Sequence, residues 1–333
     1  MWPSIIVPWS LNTDIIGKGV SHMLWKGEYT NGWTLLIGPW WKSRNIAQMI
    51  AMLSEPWKVA MIGITSSDPY GLRKIPYDAL QEHGVCMEYV KIYPFEKTHK
   101  YPGIALIPVD RQGNNQIYVL PWISDDFPPS HIHEARALFE QAKYLALTME
   151  MPTETALEAI DMAHQYKLKV IFDPGGINTG EDYSKFLSEK IFLIKPNKHE
   201  TTMLTCIHVV DKKSAQQAGD IFLSQWIQHI LITLWWKWAY FINRHDCSHI
   251  PISNNITWKF KDETWCGDQT LASIITLLSQ WYDLQKAVKI AIKSWTMQFY
   301  RPGIQPLKKE DLQTLLIQSR SEVTENPGPQ TES

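Results

Sequence analysis

Glycine is scarce in this chain. Its 333 residues hold only 17 glycines, where an average chain devotes about 7% of its positions to that residue, and they hold almost as many tryptophans, 16. Cysteine is sparse too. Cys86, Cys206, Cys247 and Cys266 stand apart without a CxxC pair, which excludes a disulfide-stapled scaffold and fits reduced thiols in a cytosolic protein. An excess of one charge is also missing: 32 Lys+Arg against 34 Asp+Glu leave a net charge of -2. No basic field draws in nucleic acid, and no charged tail stands out. The most apolar span, Ile221 to Ile242, is broken by Gln225, Gln228, His229, Thr233 and Lys237, so two buried strands with a turn suit it better than a membrane helix. The start, Met1 to Val7, lacks the basic flank and apolar run of a signal peptide. It reads as a first strand, and the chain as cytoplasmic.

What is present is alternation. Ile5–Val7, Lys58–Ile64, Ala142–Thr148, Lys169–Phe172 and Ile191–Ile194 are short β-branched runs. Between them Arg44–Leu53, Asp78–Gly84, Thr153–Tyr166 and Ser214–Gln225 carry helical patterns. That order predicts βαβ units and an α/β, doubly wound, mostly parallel sheet flanked by helices. In 153–166, Ala156, Leu157, Ile160 and Ala163 recur at helical spacing and mark one buried face. Two regions, about 15–37 and 88–121, alternate like strands outside that sheet, the second around a hairpin turn at Arg111–Asn115. They predict a small β-strand lid, which would keep water from a reaction that must not hydrolyse its donor. Ser319 to Ser333 is polar and predicts a disordered tail.

The chemistry concentrates in Lys261-Asp262-Glu263-Thr264-Trp265-Cys266-Gly267-Asp268, followed by a helical pattern from Gln269 to Leu278. A turn ending in Gly-Asp at a helix start offers free N–H groups to an anion and a carboxylate to take a proton. Alone it is a common cap. Its neighbours in order give it meaning. The segment resembles the Asp-Thr-x-Gly-Ala-Gly-Asp signature of the ribokinase (PfkB) family of carbohydrate kinases. Trp9-Ser10-Leu11-Asn12-Thr13-Asp14 is similar to that family's first-strand Gly-Ser-x-Asn-x-Asp. Gly38-Pro39-Trp40-Trp41-Lys42-Ser43-Arg44-Asn45 is similar to its sugar loop Gly-Pro-Gly-Gly-Lys-Gly-x-Asn. Glu150 falls where a sugar-contacting Glu is expected, Asn197 to Glu200 reproduces Asn-x-x-Glu, Thr233 to Trp238 resembles Thr-Leu-Gly-x-x-Gly, and Arg301 to Pro306 resembles the C-terminal segment. The resemblance runs from about Ile5 to Leu316.

It implies a ribokinase-like kinase domain over 1–316, transferring the γ-phosphate of ATP to a hydroxyl of a small sugar, ribose first, with fructose or a nucleoside as alternatives. Asp268 would be the catalytic base. Asn12, Asp14, Trp40, Trp41, Lys42, Asn45 and Glu150 would fall at the sugar. Asn197, Glu200, Thr233, Trp235, Lys237, Trp238, Trp265, Cys266 and Gly267 would fall at the nucleotide. Glu200 would serve Mg2+, and Asp262 with Gly303 a monovalent cation, K+. A homodimer through the lid strands is implied as well. Each set has a plainer reading beside it: Asn12 and Asp14 also suit a turn cap, Asn197 with Glu200 a helix cap, Lys42 a surface position and Glu150 a loop. His245, Cys247 and His249 lack a second ligand cluster and are assigned no metal.

Where the chain departs from the family, it departs in one direction. Trp9, Trp40, Trp41, Trp235, Trp238 and Trp265 occupy motif glycine slots, and Trp33, Trp57, Trp122, Trp226 and Trp281 fall where glycine is also usual. Glycine serves there to let backbone approach a ligand or take positive φ, which an indole opposes. Ordinary drift would scatter glycine to several residue types. A gene whose UGA codons mean glycine, translated with UGA as tryptophan, would give this pattern. If the indoles are real, a non-catalytic binding protein on a kinase fold is the expectation instead.

Overall fold

The computed structural model describes the chain except residues 1, 10, 24–25, 33, 113, 235–237, 252–264, 302–304 and 326–333. Ser10, Trp33, Trp235, Lys237, Asp262 and Gly303 therefore lie outside the described residues. The described residues form strands β1 (Ile5–Pro8), β2 (Asn12–Val20), β3 (Thr34–Gly38), β4 (Val59–Ser66), β5 (Cys86–Tyr93), β6 (Gly103–Asp110), β7 (Tyr118–Leu120), β8 (Tyr144–Thr148), β9 (Lys169–Asp173), β10 (Ile191–Ile194), β11 (His229–Leu234), β12 (Trp238–Ile242) and β13 (Cys247–Pro251). Nine of them make one sheet in the order β13-β12-β11-β10-β9-β8-β1-β4-β5. β1 runs parallel to β4 and β8, β4 to β5 and β10 to β11, while β12 runs antiparallel to both β11 and β13. This is the mostly parallel α/β sheet that the alternation of runs predicts.

Two compact units divide the chain: Met1–Gln48, Pro56–Val170 and Gly175–Ile177 in the first, and Met49–Glu55, Ile171–Pro174 and Asn178–Ser333 in the second. In the first, Ile5, Ile6 and Val7 of β1 and Val59 to Ile62 of β4 are fully buried, the continuous apolar pattern of strands covered on both faces. The Thr153–Gln165 helix turns Ala156, Ala159, Ile160 and Ala163 inward. Leu157, expected on that face, is only half-buried, because a 3.6-residue period aligns 156 with 159, 160 and 163.

The first unit also carries a second sheet, β3-β2-β6-β7, the small lid-like sheet expected from 15–37 and 88–121. One correction applies. β5, which overlaps the start of the second of those ranges, pairs with β4 at the edge of the main sheet. Alternation marks a strand but not the sheet it joins. On the small sheet Ile15 pairs with Ile37 on one side and Leu106 on the other, and Leu106 pairs with Tyr118. Ile37, Leu106 and Tyr118 are exposed, as is Leu35, so the sheet shows an apolar face.

In the second unit the Cys266–Ser279 helix is buried along nearly its whole length and packs on the Leu284–Phe299 helix, with the Ser294 hydroxyl donating to Ser273 at 2.8 Å. The span 221–242 forms β11 and β12 as expected, its first residues ending the Lys212–Ser224 helix. No helix among the described residues is long and apolar enough to cross a membrane. The last helix, Lys309–Glu325, is a second correction, since it continues past Ser319 into the segment expected to be disordered. That segment is polar, yet it holds no Pro or Gly before Pro327, and polarity alone does not break a helix.

Candidate active site

The two units hold separate groups of the expected residues. In the first, β2 begins with Asn12-Thr13-Asp14, and a strand's two-residue period sends Asn12 and Asp14 to the same side. Both are buried. The Asn12 Oδ1 accepts from the Ser124 hydroxyl at 2.8 Å, and it stands so close to Gly103 that a Cβ there would fall 1.9 Å away. Only glycine opposite Asn12 in the β2–β6 register permits this.

Asp14 holds the loop that leads into the Lys42–Leu53 helix. Its Oδ2 accepts the Trp40 N–H at 3.0 Å. The Asn45 amide closes the same loop by donating to the Trp40 carbonyl at 2.8 Å, while the Asn45 Oδ1 accepts from Arg44 at 3.3 Å. Burial pushes the Asp14 carboxyl up to about 7, although the Trp40 N–H, the Trp41 indole and the Arg44 guanidinium all favour its charged form. Burial likewise pushes Arg44 down to about 9, with Asp14 opposing. Trp9 and Trp41 stack at 5.7 Å, and Trp40 lies over Gly38, where a Cβ would come within 2.4 Å of its ring. Lys42 is half-buried at the helix start. Glu150 sits in the loop after β8, packed against Gly176, whose φ of +102° leaves 3.0 Å between a Cβ and the Glu150 side chain. Ser124 and Arg44 are the residues here that motif reading does not assign. Single polar side chains delivered by distant segments leave no local signal.

In the second unit, Asn197 and Glu200 form a reciprocal capping box on the Lys198–Thr205 helix. The Asn197 N–H and Nδ2 donate to the two Glu200 carboxylate oxygens, both at 2.8 Å, and the Glu200 N–H donates to the Asn197 Oδ1 at 2.9 Å. The plainer reading of this pair is thus present in the structure. A carboxylate oxygen can accept more than one hydrogen bond, so a carboxylate at this position suits water-mediated contact with a hydrated magnesium ion. Among the described residues no group of three or more His, Cys, Asp or Glu forms a metal cage. Thr233 pairs with Asn197 as an isolated parallel bridge, its N–H donating to the Pro196 carbonyl at 3.0 Å, which draws the end of β11 beside the helix start. Trp238 opens β12, half-buried.

The Cys266–Ser279 helix starts where the motif predicts. Trp265 is its N-cap, left-handed at φ +63°, and Cys266, Gly267 and Asp268 make the first turn, with Cys266 and Asp268 buried. A carboxylate there is favoured by the helix dipole. Gln269 ties this turn to the chain's end by accepting the Leu307 N–H at 2.9 Å, beside the Arg301–Asp311 ion pair at 2.8 Å. Sequence reading missed a buried pair next to it. Lys195 Nζ lies 2.7 Å from Asp173 Oδ2, both side chains at most 3% exposed, and that ammonium stands 3.5 Å from where a Gly267 Cβ would be. A lysine directly before Pro-Asn was the available signal.

Comparison with known proteins gives the family. A family model described as pfkB family carbohydrate kinase matches residues 42–301. The ribokinase of Schizosaccharomyces pombe is 23% identical over 310 residues, covering 90% of this chain and 93% of that protein. A deoxyribokinase of Salmonella typhi is 23% identical over 267 residues, covering 80% and 83%. The structure of Arabidopsis thaliana ribokinase complexed with ribose and ATP superposes with a TM-score of 0.82 at 20% identity, covering 95% of this chain and 99% of that one.

Proposed function

The chain belongs to the pfkB family of carbohydrate kinases, and from that premise we propose that it phosphorylates ribose with ATP as donor. The observation that carries the choice of sugar is the buried set Asn12, Asp14 and Asn45 gathered around one strand and one loop, at the positions the family uses for sugar hydroxyls. Glu150 and Lys42 would complete that side. The relatives named as ribokinases support ribose, and the deoxyribokinase keeps deoxyribose as the nearest competitor.

In this reading the protein mainly positions its reactants and neutralises charge on the moving phosphoryl group. Asp268 accepts the proton of the attacking hydroxyl. The N–H groups of Cys266 and Gly267 stabilise the charge that develops on the phosphoryl oxygens. Asn197, Thr233 and Trp238, together with Trp235 and Lys237 outside the described residues, fall along the nucleotide. Glu200 would hold Mg2+ through water, and the ion would supply charge neutralisation at the phosphates. Asp262 and Gly303, also outside the described residues, would serve K+. The apolar face of Leu35, Ile37 and Leu106 supports a homodimer through the small sheet.

Coupled ADP release with Mg-ATP and a panel of ribose, deoxyribose, fructose and adenosine tests the reading. Ribose should give the highest kcat/KM. A higher value for another acceptor replaces ribose within the same chemistry. The stacked Trp9 and Trp41 beside Asp14 favour a second reading for the literal chain, a non-catalytic binding protein, which silence on every acceptor by a well-folded protein would support.

A further inference from the structure

Among the described residues eight non-glycine positions have positive φ, and five of them are tryptophan: Trp57, Trp122, Trp226, Trp265 and Trp281, at +66°, +50°, +65°, +63° and +69°. Tryptophan fills only 16 of the 333 positions, and nothing in an indole favours the left-handed region. The helix ends make the point within one molecule. The Lys74–Glu82 helix closes with Gly84 at φ +77°, its N–H donating to the Gln81 carbonyl and the Val85 N–H reaching back to Leu80. The Cys266–Ser279 helix closes with the same two bonds, Trp281 to Leu278 and Tyr282 to Leu277. This is the motif whose left-handed position is usually glycine, and Trp281 stands in it. Trp226 takes the corresponding place after the Lys212–Ser224 helix, donating to the Leu223 carbonyl at 3.0 Å.

Burial does not explain the indoles. Trp281 is 82% exposed, Trp226 62% and Trp57 51%, so they contribute little to a core. Where motif indoles are buried, they disturb it, as with Trp9, whose Nε1 is buried without a hydrogen-bond partner. We infer that the protein made by its own cells carries glycine at positions 57, 122, 226, 265 and 281, and at motif positions 9, 40, 41 and 238, because UGA specifies glycine in its gene. At 265 this decides function, since a glycine N-cap leaves the anion-binding turn of Cys266-Gly267-Asp268 open.

Peptide mass mapping of the protein from its native cells, with the codons of its gene, reads the answer directly. Glycyl peptides at UGA codons are expected at all nine positions. Tryptophyl peptides, or UGG codons there, overturn the inference. A recombinant pair adds a second measurement: Trp226→Gly with Trp281→Gly should raise the Tm of the literal chain, and a lowered Tm counts against it. Neither readout involves turnover, so both are separate from the kinase reading.

A different observation carries a second proposal, which rests on that reading. Lys195 is buried against Asp173 at 2.7 Å, with its ammonium at the first turn of the Cys266–Ser279 helix, beside Gly267. Asp173 offsets the cost of a cation beside a helix N-terminus, and a phosphoryl group arriving there would add an anion that both the cation and the helix dipole favour. We propose that Lys195 stabilises the transferring phosphoryl group and that Asp173 holds it in place beforehand. The double variant Lys195→Met with Asp173→Leu removes the pair without stranding a buried charge. In the background that turns over, kcat should fall at least about 100-fold, with the sugar KM unchanged and the Tm close to the parent's. A kcat within threefold of the parent, or a double variant that does not fold, overturns the proposal. Absence of turnover in the parent would instead bring down the kinase reading.

Discussion

The first unit's site and the second unit's site are built on different terms. Around Asp14 the side chains hold backbone and one another: Asp14 takes the Trp40 N–H, Asn45 the Trp40 carbonyl, and Asn12 the Ser124 hydroxyl. In the second unit the polar groups belong to helix starts, the Asn197–Glu200 capping box and the turn of Gly267-Asp268, the latter with the Lys195 ammonium beside Gly267. A loop clamp fixes shape, and shape selects among sugars whose hydroxyls differ by position. A pair of helix starts fixes charge, and charge suits phosphate whatever the acceptor. Selectivity and chemistry should therefore separate under mutation.

The largest expected effect is in the second unit. Asp268→Asn should lower kcat by about 10²–10⁴-fold in steady-state kinetics while leaving the ribose KM within a few-fold. A matching rise in KM with little change in kcat would place Asp268 in binding and break the contrast. Next comes Glu150→Gln or Asn12→Ala in the first unit, where the loss of one sugar hydrogen bond should raise the ribose KM about tenfold or more without moving the ATP KM.

A smaller effect sharpens the first unit's electrostatics. Asp14 titrates near 7 when folded and near 3.8 when free, so between those values the native state holds a proton that the unfolded chain has lost. Stability from this group is full below about pH 4 and declines as the pH rises through 7. Sugar binding runs the other way. A carboxylate accepts hydroxyl hydrogen bonds at both oxygens and a carboxylic acid does so less well, so the ribose KM should climb as the pH falls below 7. With glycine at 40 and 41 water reaches Asp14, the burial that raises it is relieved, and the midpoint of the KM–pH curve should move down. A midpoint near 7 in both proteins would show that the loop indoles do not set it. The smallest effect lies outside either site: Leu35→Lys with Ile37→Glu should halve the mass seen by light scattering, with turnover within threefold of the parent.

Much of the fold is legible because periodicity acts locally. β1, β8, β9, β10 and the Thr153–Gln165 helix fall where their patterns place them, and Gly267-Asp268 opens a helix as its turn chemistry requires. β5 shows the limit, as a strand by pattern that joins a sheet its pattern does not name. Of the candidate site residues, Asn12 and Asp14 in the first unit and Asn197 and Asp268 in the second are readable in short motifs. Ser124, Arg44, Asp173 and Lys195 are not, because Ser124 and Arg44 act on Asn12 and Asp14 of a distant strand, and Asp173 and Lys195 on each other across 22 residues. Asn197 and Glu200 are a middle case, where the helix cap and the functional motif use the same atoms.

The closing turn of the Cys266–Ser279 helix matches that of the Lys74–Glu82 helix bond for bond, although one is spelled with tryptophan and the other with glycine. The rest of the chain dictates that bend so strongly that the side chain written there does not change it. Geometry can then proofread a genetic code. A torsion angle reports which amino acid a position was shaped to hold, even where the letter assigned to it says otherwise.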